Sequence, residues 1–368
     1  MAPNYLREIE AEGQAVWLDN ISRALIEDGE LERLVQEDGL SGVTSNPTTF
    51  EKAIGDSERY DEGLREYAEK GMSPREIFFE LGFKDIRDGC DILRPVFDAT
   101  EGKDGYVSFE LPPELSDDVQ GSVEQAKLIK AKIDRPNVLI KVPGTEAGVQ
   151  AFEELTAAGV NVNVTLLFDV KRYQQVAEAY IKGLERRLDA GEPIKLASSV
   201  ASFFVSRVDG KVDDKLDELG REDLKGKAAI ANARVAYESF QRLFSGERWE
   251  RIAAEGAAVQ RPLWASTSTK NPDYPDTLYV DELIGPDTVN TMPHATVEAA
   301  RDHATVARTV DRDVEAAHEL IDELKEAGVD FEDIVSRQLI EDGVASFAKS
   351  FDSLIETIAD KASAVTAP

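Results

Sequence analysis

The chain has 368 residues, 42% of them hydrophobic and 31% charged, so it is long enough to bury a substantial core as one or two soluble domains. Its 72 Asp and Glu residues exceed its 42 Lys and Arg residues, which gives a formal net charge of −30 at pH 7. Such a surface repels nucleic acid and anionic membranes, and it is expected equally of a salt-adapted protein and of one that is simply very soluble.

The number of cysteines, the positions of the histidines and the hydropathy of the chain limit which kinds of site and which cellular compartment are expected. The single cysteine, Cys90, allows no disulfide within the chain and no thiolate metal cluster, and we expect it to be a buried helix residue without a chemical role. All three histidines lie in the last quarter, which disfavours a histidine metal site or a Ser-His-Asp triad. No apolar run approaches the ~20 residues that span a bilayer, and the first residues show no signal region. We therefore expect a cytoplasmic protein.

Short β-branched segments alternate with longer helical patterns along most of the chain. The predicted strands are AVWLDN (15–20), SGVTSNP (41–47), YVSFEL (106–111), NVLIKVP (137–143), VNVNVTLLF (160–168), IKLASSVASFF (194–204), RPLWAST (261–267) and DTVNTMP (287–293). The predicted helices are 21–38, 74–99, 114–133, 146–158, 170–190 and 224–244. Eight strands, each followed by a helix or a long crossover, predict a (β/α)8 TIM barrel. An open doubly wound sheet is the alternative, but its glycine-rich dinucleotide turn is absent.

The domain organisation follows from linkers and from the end of the chain. No segment rich in Pro, Ser or Gly divides the chain, so we expect residues 1–368 to form one domain with a helical C-terminal extension from about residue 306. An apolar stripe at helical spacing is formed by Phe347, Phe351, Leu354, Ile355 and Ile358. This stripe predicts packing against the barrel, with a dimer contact as the alternative. A monomer or a homodimer is therefore expected.

Polar side chains at the ends of the predicted strands point to a site, because barrel strands are otherwise buried on both faces. Lys141 lies in the apolar run VLIKV, where burial would lower its pKa and leave a neutral amine able to attack a carbonyl. Glu110 and Asp19 could transfer the protons of such a reaction. The structural alternative is that Lys141 reaches solvent or forms a salt bridge with one of these acids.

The strand at 160–168 alternates polar and apolar residues. Successive side chains of a strand point to opposite faces, so one set shares a face and the other set takes the opposite face. The first face holds Asn161, Asn163 and Thr165, and the second holds Val162, Val164 and Leu166. We expect the polar set to lie inside the barrel.

Four segments resemble the transaldolase family, most closely its longer bacterial members. They are GVTSNP (42–47), VLIKVPGTEAG (138–148), NVTLLF (163–168) and SFFVSR (202–207). Each is moderately specific, whereas all four in this order with the lysine in place are highly specific. The similarity runs from about residue 15 to 365. It implies a class I aldolase-type barrel that moves a dihydroxyacetone unit between sugar phosphates in the pentose phosphate pathway.

The resemblance also implies a catalytic role for four residues. Lys141 would form a Schiff base with C2 of fructose 6-phosphate or sedoheptulose 7-phosphate. Glu110, with a water near Thr165, would carry the protons of Schiff-base formation and hydrolysis. Asp19 would remove the proton of the C4 hydroxyl, so that the C3–C4 bond breaks. The iminium accepts the electrons of that bond, and neither a cofactor nor a metal is implied.

The implied substrate-binding residues are Asn46, Asn163, Ser202, Phe204, Arg207 and Lys270. Arg207 and Lys270 are the candidates for the phosphate, because they would offset the acidic surface locally, with plain surface cations as the alternative. Two positions depart from the family pattern: Thr49 replaces an apolar residue, and Ser268 stands where glycine is expected. If the backbone at Ser268 required φ > 0, serine would cost on the order of 1 kcal/mol and could shift Lys270.

Other functions remain open from the sequence. A fructose 6-phosphate aldolase would share the lysine but release free dihydroxyacetone, although such relatives are much shorter. A non-catalytic sugar-phosphate-binding barrel would be expected to lack the lysine or an acid, and Lys141, Glu110 and Asp19 are all present. A fusion with a sugar-phosphate isomerase would need a second catalytic domain, for which 368 residues leave no room.

Overall fold

Eight parallel strands close into a barrel in the computed structural model, which describes residues 4–366. The strands are β1 Gln14–Leu18, β2 Gly42–Thr44, β3 Tyr106–Glu110, β4 Val138–Pro143, β5 Val162–Leu167, β6 Ser199–Phe204, β7 Arg261–Ala265 and β8 Thr288–Met292. Each neighbour in the sheet is the next strand along the chain, and β8 pairs with β1 to close the ring. The predicted (β/α)8 barrel is confirmed, and the alternative of an open doubly wound sheet is wrong.

Helices surround the barrel and cover its carboxyl end. They are α1 Tyr5–Ala11, α2 Arg23–Glu27, α3 Glu30–Arg33, α4 Pro47–Asp56, α5 Asp61–Glu69, α6 Pro74–Ala99, α7 Val119–Ile133, α8 Glu146–Ala157, α9 Val170–Asp189, α10 Ser206–Leu219, α11 Ala228–Leu243, α12 Gly246–Ala254, α13 Leu278–Asp281, α14 His294–His303, α15 Val314–Glu326, α16 Phe331–Asp333 and α17 Leu339–Thr366. Many begin at a capping side chain; Ser73, for example, accepts the amide of Glu76 before α6. None is long and apolar enough to cross a membrane.

The prediction of one helix over 21–38 is wrong. The segment divides into α2, α3 and a π-helical turn at Leu34–Asp38. Gly29 has φ 73° between α2 and α3, and Gly39 has φ 79° after the π turn. A residue in this left-handed region cannot continue a right-handed helix, and glycine adopts it without a steric penalty.

The lower part of the barrel is filled by apolar side chains that point inward. These are Ala15, Trp17, Tyr106, Leu139, Val200, Leu263 and Val289. Close packing here requires Gly42, since a Cβ atom at that position would lie 2.3 Å from the Trp17 ring. Above this layer, towards the carboxyl ends of the strands, the inward positions become polar. The polar layer is where a site can form.

The C-terminal helix α17 packs along α4, α5 and α6. Phe351, Leu354 and Ile358 are buried, so the interpretation of the apolar stripe as core packing is confirmed for these three residues. Phe347, one turn earlier, is only half-buried and faces the carboxyl end of the barrel. Cys90 is buried in α6 as predicted, and burial raises the pKa of its thiol.

Candidate active site

The carboxyl ends of the strands surround a cavity of about 490 Å³. Nine of the ten residues predicted for the site line it, and these are Asp19, Asn46, Glu110, Lys141, Thr165, Ser202, Phe204, Arg207 and Lys270. The tenth, Asn163, is fully buried one layer below. Strand ends that are far apart in the sequence therefore converge on one space, as expected for a parallel barrel.

Lys141 and Glu110 form a buried ion pair at the bottom of this cavity. They occupy paired positions on β4 and β3, and the Lys141 Nζ donates to Glu110 Oε1 at 2.7 Å. The two side chains are only 10% and 9% exposed. Lys141 also donates to the backbone carbonyl of Ser45 at 2.8 Å, and the Ser45 hydroxyl donates to Glu110 Oε2 at 2.7 Å. Ser45 is thus hydrogen-bonded to both members of the pair and orients them towards each other.

Burial raises the pKa of Glu110. The charge of Lys141 and the hydrogen bonds from Lys141 and Ser45 act in the opposite direction, and the nearby charge of Asp19 raises the pKa further. A carboxyl with a raised pKa can accept a proton from its ammonium partner, and the short contact gives that proton a direct path. The pair can therefore supply an uncharged amine together with an adjacent acid.

Asp19 is held by a separate set of bonds. The Thr44 hydroxyl donates to Asp19 Oδ1 at 2.7 Å, and the Asn46 amide nitrogen lies 3.3 Å from Asp19 Oδ2. Thr44 in turn is 2.7 Å from the hydroxyl of Thr291 on β8. Among the residues described, the carboxylate that pairs with Lys141 is that of Glu110, which leaves Asp19 as a second, separately oriented acid facing the same cavity.

Asn46 is positioned by the start of α4. Its side-chain oxygen accepts the amide of Thr49, and the Asn46 backbone N–H donates to the Thr49 hydroxyl at 3.2 Å, which completes a capping box with Pro47 at the first helical position. The departure from the family pattern at Thr49 therefore has a structural reason: its hydroxyl fixes the backbone of a cavity residue.

A polar layer supports the cavity floor. The Asn163 amide nitrogen donates to the Ser108 hydroxyl at 3.1 Å, and the Ser202 hydroxyl donates to Asn163 Oδ1 at 2.6 Å. Ser202 reaches the cavity, whereas Asn163 does not line it. Asn163 therefore acts on the cavity indirectly, by orienting Ser202.

The prediction that Leu166 points away from the polar face is wrong. The register of β5 against β6 shifts between Val164 and Leu167, and Leu166 has φ 59°. This irregularity turns the Leu166 side chain into the cavity, where it packs beside Gly343 of α17. A bulky residue in the left-handed region is strained, and such strain is typical of functional sites.

Two cations lie on the β6 and β7 side of the cavity. The Arg207 guanidinium lies 5.2 Å from the ring centre of Phe204, and the Lys270 Nζ donates to the Ser268 hydroxyl at 2.8 Å. Ser268 is not among the residues with positive φ, so the strain considered for it does not arise there; Ser266 has φ 57° instead. Within residues 4–366 neither cation has a carboxylate at salt-bridge distance, so both can meet an anion.

Several residues in or beside the cavity were not predicted from the sequence. Ser45 and Thr44 belong to the first family-like segment, but only their hydrogen bonds reveal that they orient Glu110 and Asp19. Lys52 on α4 lines the cavity, as do Ser346, Phe347 and Ser350 of α17. No local signal marks these helical residues, because their approach depends on how α17 crosses the barrel. No group of three or more His, Cys, Asp or Glu within residues 4–366 could hold a metal ion.

Comparisons with known proteins point to one family. The family model described as Transaldolase/Fructose-6-phosphate aldolase matches residues 16–358. "Transaldolase 2" of Nostoc sp. (strain PCC 7120) is 47% identical over 374 residues, covering 98% of each chain. "Transaldolase" of Parafrankia sp. (strain EAN1pec) is 49% identical over 360 residues, covering 97% of each chain. "Transaldolase" of Trichodesmium erythraeum is 44% identical and covers 100% of each chain.

Proposed function

The chain belongs to the transaldolase/fructose-6-phosphate aldolase family, and we propose that it is itself a transaldolase. It transfers a dihydroxyacetone unit from sedoheptulose 7-phosphate or fructose 6-phosphate to glyceraldehyde 3-phosphate or erythrose 4-phosphate. The observation that carries the proposal is the buried 2.7 Å contact between Lys141 and Glu110 in the cavity. The proposed setting is the pentose phosphate pathway of the cytoplasm. Residues 1–368 would act as one barrel domain, including the helices from about residue 306, in a monomer or homodimer.

The first chemical step forms the Schiff base. Lys141 passes a proton to Glu110, and the uncharged Nζ attacks C2 of the ketose phosphate. Glu110, working through a water held near Thr165, gives this proton to the C2 oxygen. It then takes a proton from the attached Lys141 nitrogen and passes it to the departing hydroxyl. Water leaves and an iminium between Lys141 and C2 remains. The 2.7 Å contact supports this role, because general acid–base catalysis requires hydrogen-bond reach.

The second step breaks the carbon–carbon bond. Asp19 takes the proton of the C4 hydroxyl, the C4 oxygen becomes a carbonyl, and the electron pair of the C3–C4 bond moves to the iminium. An aldose phosphate leaves and the three-carbon enamine stays on Lys141. An acceptor aldehyde then reverses the step, with Asp19 returning the proton. Because the iminium serves as the electron sink, this chemistry requires no cofactor.

Polar groups around the cavity hold the three-carbon intermediate. Asn46 and Ser202 line the cavity, so they can bond hydroxyl groups of the unit attached to Lys141. Asn163 acts through its 2.6 Å bond to Ser202. Arg207 and Lys270 bind the phosphate of the donor or of the acceptor, because a cation free of a carboxylate partner can form charge-assisted bonds to an anion.

Aldol cleavage without transfer is the second candidate, since the family description includes fructose-6-phosphate aldolase. The two functions differ in what happens to the enamine. A transferase turns over only when an acceptor aldehyde is present, whereas an aldolase releases dihydroxyacetone from fructose 6-phosphate alone. Full-length similarity to relatives named transaldolase favours the transferase.

The test is a turnover assay with fructose 6-phosphate, with and without erythrose 4-phosphate. We expect sedoheptulose 7-phosphate to form only when the acceptor is added, and K141A to abolish its formation. K130A is a matched control, because Lys130 is also partly buried but donates to the Gly159 carbonyl at the opposite end of the barrel. Release of dihydroxyacetone at an equal rate without acceptor would contradict the transferase assignment. Activity that persists in K141A would contradict the Schiff base on this lysine.

A further inference from the structure

Two aspartates on one face of α10 make the same pair of contacts. Asp209 and Asp213 lie one helical turn apart. Asp209 Oδ1 accepts the Ala229 amide at 2.7 Å, and Asp209 Oδ2 accepts the Tyr279 hydroxyl at 2.7 Å. The Asp209 carboxylate thus joins a backbone amide at the start of α11 to a tyrosine hydroxyl of a third segment.

The second aspartate repeats this pattern one turn further along α10. Asp213 Oδ1 accepts the Gly226 amide at 3.0 Å, and Asp213 Oδ2 accepts the Tyr274 hydroxyl at 2.7 Å. Gly226 has φ 70°, and a Cβ atom there would lie 2.8 Å from the Tyr274 ring, so the ring packs directly on this backbone. Asp209 and Tyr279 are 1% and 2% exposed, so the inner pair is shielded from water.

Both tyrosines belong to the segment that follows β7 and carries Lys270. The start of that segment is also tied to α10, because the Ser206 amide donates to the Ser266 carbonyl at 3.0 Å and the two hydroxyls lie 2.9 Å apart. Ser266 has φ 57°, a strained conformation that these contacts hold in place. Three pairs of residues therefore fix the Lys270 segment to the helix whose first turn carries Arg207.

We infer that Asp209 and Asp213 are positioning residues that clamp the Lys270 segment onto α10 through Tyr279 and Tyr274, and so set the spacing of Arg207 and Lys270 for a phosphate group. The inference rests on the proposed function, which assigns these two cations to the substrate phosphate. Neither aspartate contributes to the chemistry at Lys141. The clamp acts on phosphate recognition alone.

The test removes the tyrosine hydroxyls, which is milder than removing a buried carboxylate. Y274F and Y279F are assayed for KM and kcat with fructose 6-phosphate and erythrose 4-phosphate, and for the rate at which borohydride traps dihydroxyacetone on Lys141. We expect KM for fructose 6-phosphate to rise roughly tenfold in Y279F, with kcat and dihydroxyacetone trapping within about twofold of the parent. Y180F is the matched control, because the Tyr180 hydroxyl is also buried and bonded, to the Ala197 carbonyl at 2.8 Å.

A double-mutant cycle with K270A identifies the route of the effect. If the clamp acts through Lys270, K270A raises KM and Y279F adds little further in the K270A background. Equal KM effects of Y279F in both backgrounds, or a fall in dihydroxyacetone trapping, would overturn the clamp. An unchanged KM in K270A and in R207A would instead show that the phosphate assignment itself is wrong. A raised KM in those two variants, with no effect of either tyrosine variant, would overturn the clamp alone.

Discussion

The Lys141 Nζ lies 2.7 Å from Glu110 Oε1, and both side chains are shielded from water at the end of neighbouring strands. A buried ion pair is a weak source of stability, because desolvation of the two charges opposes their attraction. The pair is better explained by a role in acid–base catalysis, because one proton can reside on either group. Asp19, held apart by Thr44, remains available for a different proton.

E110Q tests the acid–base role of Glu110. Glutamine keeps the size of the side chain but cannot receive the proton of Lys141, so Schiff-base formation and hydrolysis both slow. We expect kcat to fall by about 10²–10⁴-fold, the usual range for loss of a general acid–base group. Steady-state transfer and the rate of dihydroxyacetone trapping are measured together, and both should fall. A fast trapping rate in E110Q would contradict the role given to Glu110.

D19N separates bond cleavage from Schiff-base formation. Asparagine cannot take the C4 hydroxyl proton, whereas the Lys141–Glu110 pair is left intact. We expect the transfer rate to fall at least about 10²-fold while borohydride still traps fructose 6-phosphate on the enzyme. Mass spectrometry of the trapped D19N protein should show the intact six-carbon phosphate instead of the three-carbon unit. A three-carbon adduct at the parent rate would mean that another group removes the proton.

R207A tests the phosphate side of the cavity. Replacing Arg207 by alanine removes a planar donor that can bind phosphate through two nitrogen atoms. We expect KM for fructose 6-phosphate to rise roughly 10–100-fold, because a charge-assisted bond contributes about 1.5–3 kcal/mol. Trapping of unphosphorylated dihydroxyacetone serves as the internal control and should change little. An equal loss with both compounds would indicate damage to the cavity instead of lost phosphate binding.

The protonation of Asp209 should make a pH-dependent contribution to the free energy of unfolding. Burial raises its pKa to about 7, from the ordinary 3.8, so the folded state holds a proton that the unfolded state releases between these values. The stabilisation is complete below the unfolded pKa and is lost as the pH rises through about 7. Relative to D209N, the free energy of unfolding of the parent should fall as the pH rises from about 4 to about 7 and level off above that, by at most ~1.4 kcal/mol per pH unit.

Urea titrations of the parent, D209N and D214N at several pH values check this prediction. Asp214 is exposed on the same helix, so D214N controls for the general effect of removing one negative charge. A difference between the parent and D209N that does not vary with pH would contradict the raised pKa of Asp209. If the parent instead gained stability relative to D209N as the pH rises, the pKa of Asp209 would be lowered by folding and not raised.

Much of this arrangement follows from local patterns. The eight strands are short runs of apolar and β-branched residues, and their polar carboxyl ends stand out against the apolar background. In a parallel barrel such ends must meet at one face, which is why Lys141, Glu110 and Asp19 could be assigned to one cavity. The partner of Lys141 could not be chosen from the sequence, because the choice depends on the register of β3 against β4.

The remaining features depend on backbone irregularities and distant contacts. A strict alternation along β5 cannot reveal the bulge that turns Leu166 into the cavity. The helical pattern over 21–38 hides the left-handed turn at Gly29, since an isolated glycine is tolerated within many helices. The approach of Phe347 to the cavity depends on where α17 crosses the barrel, about 200 residues after Lys141, and no local pattern encodes such a contact.

The most direct test is reductive trapping followed by peptide mapping. The protein is mixed with fructose 6-phosphate, reduced with borohydride, digested and analysed by mass spectrometry, with K141A and K130A treated in parallel. We predict a stable three-carbon adduct on the peptide that contains Lys141, present in K130A and absent in K141A. An adduct on a different lysine would contradict the assigned site. No adduct from protein that still binds fructose 6-phosphate would contradict the Schiff-base mechanism itself and favour a non-catalytic sugar-phosphate-binding barrel.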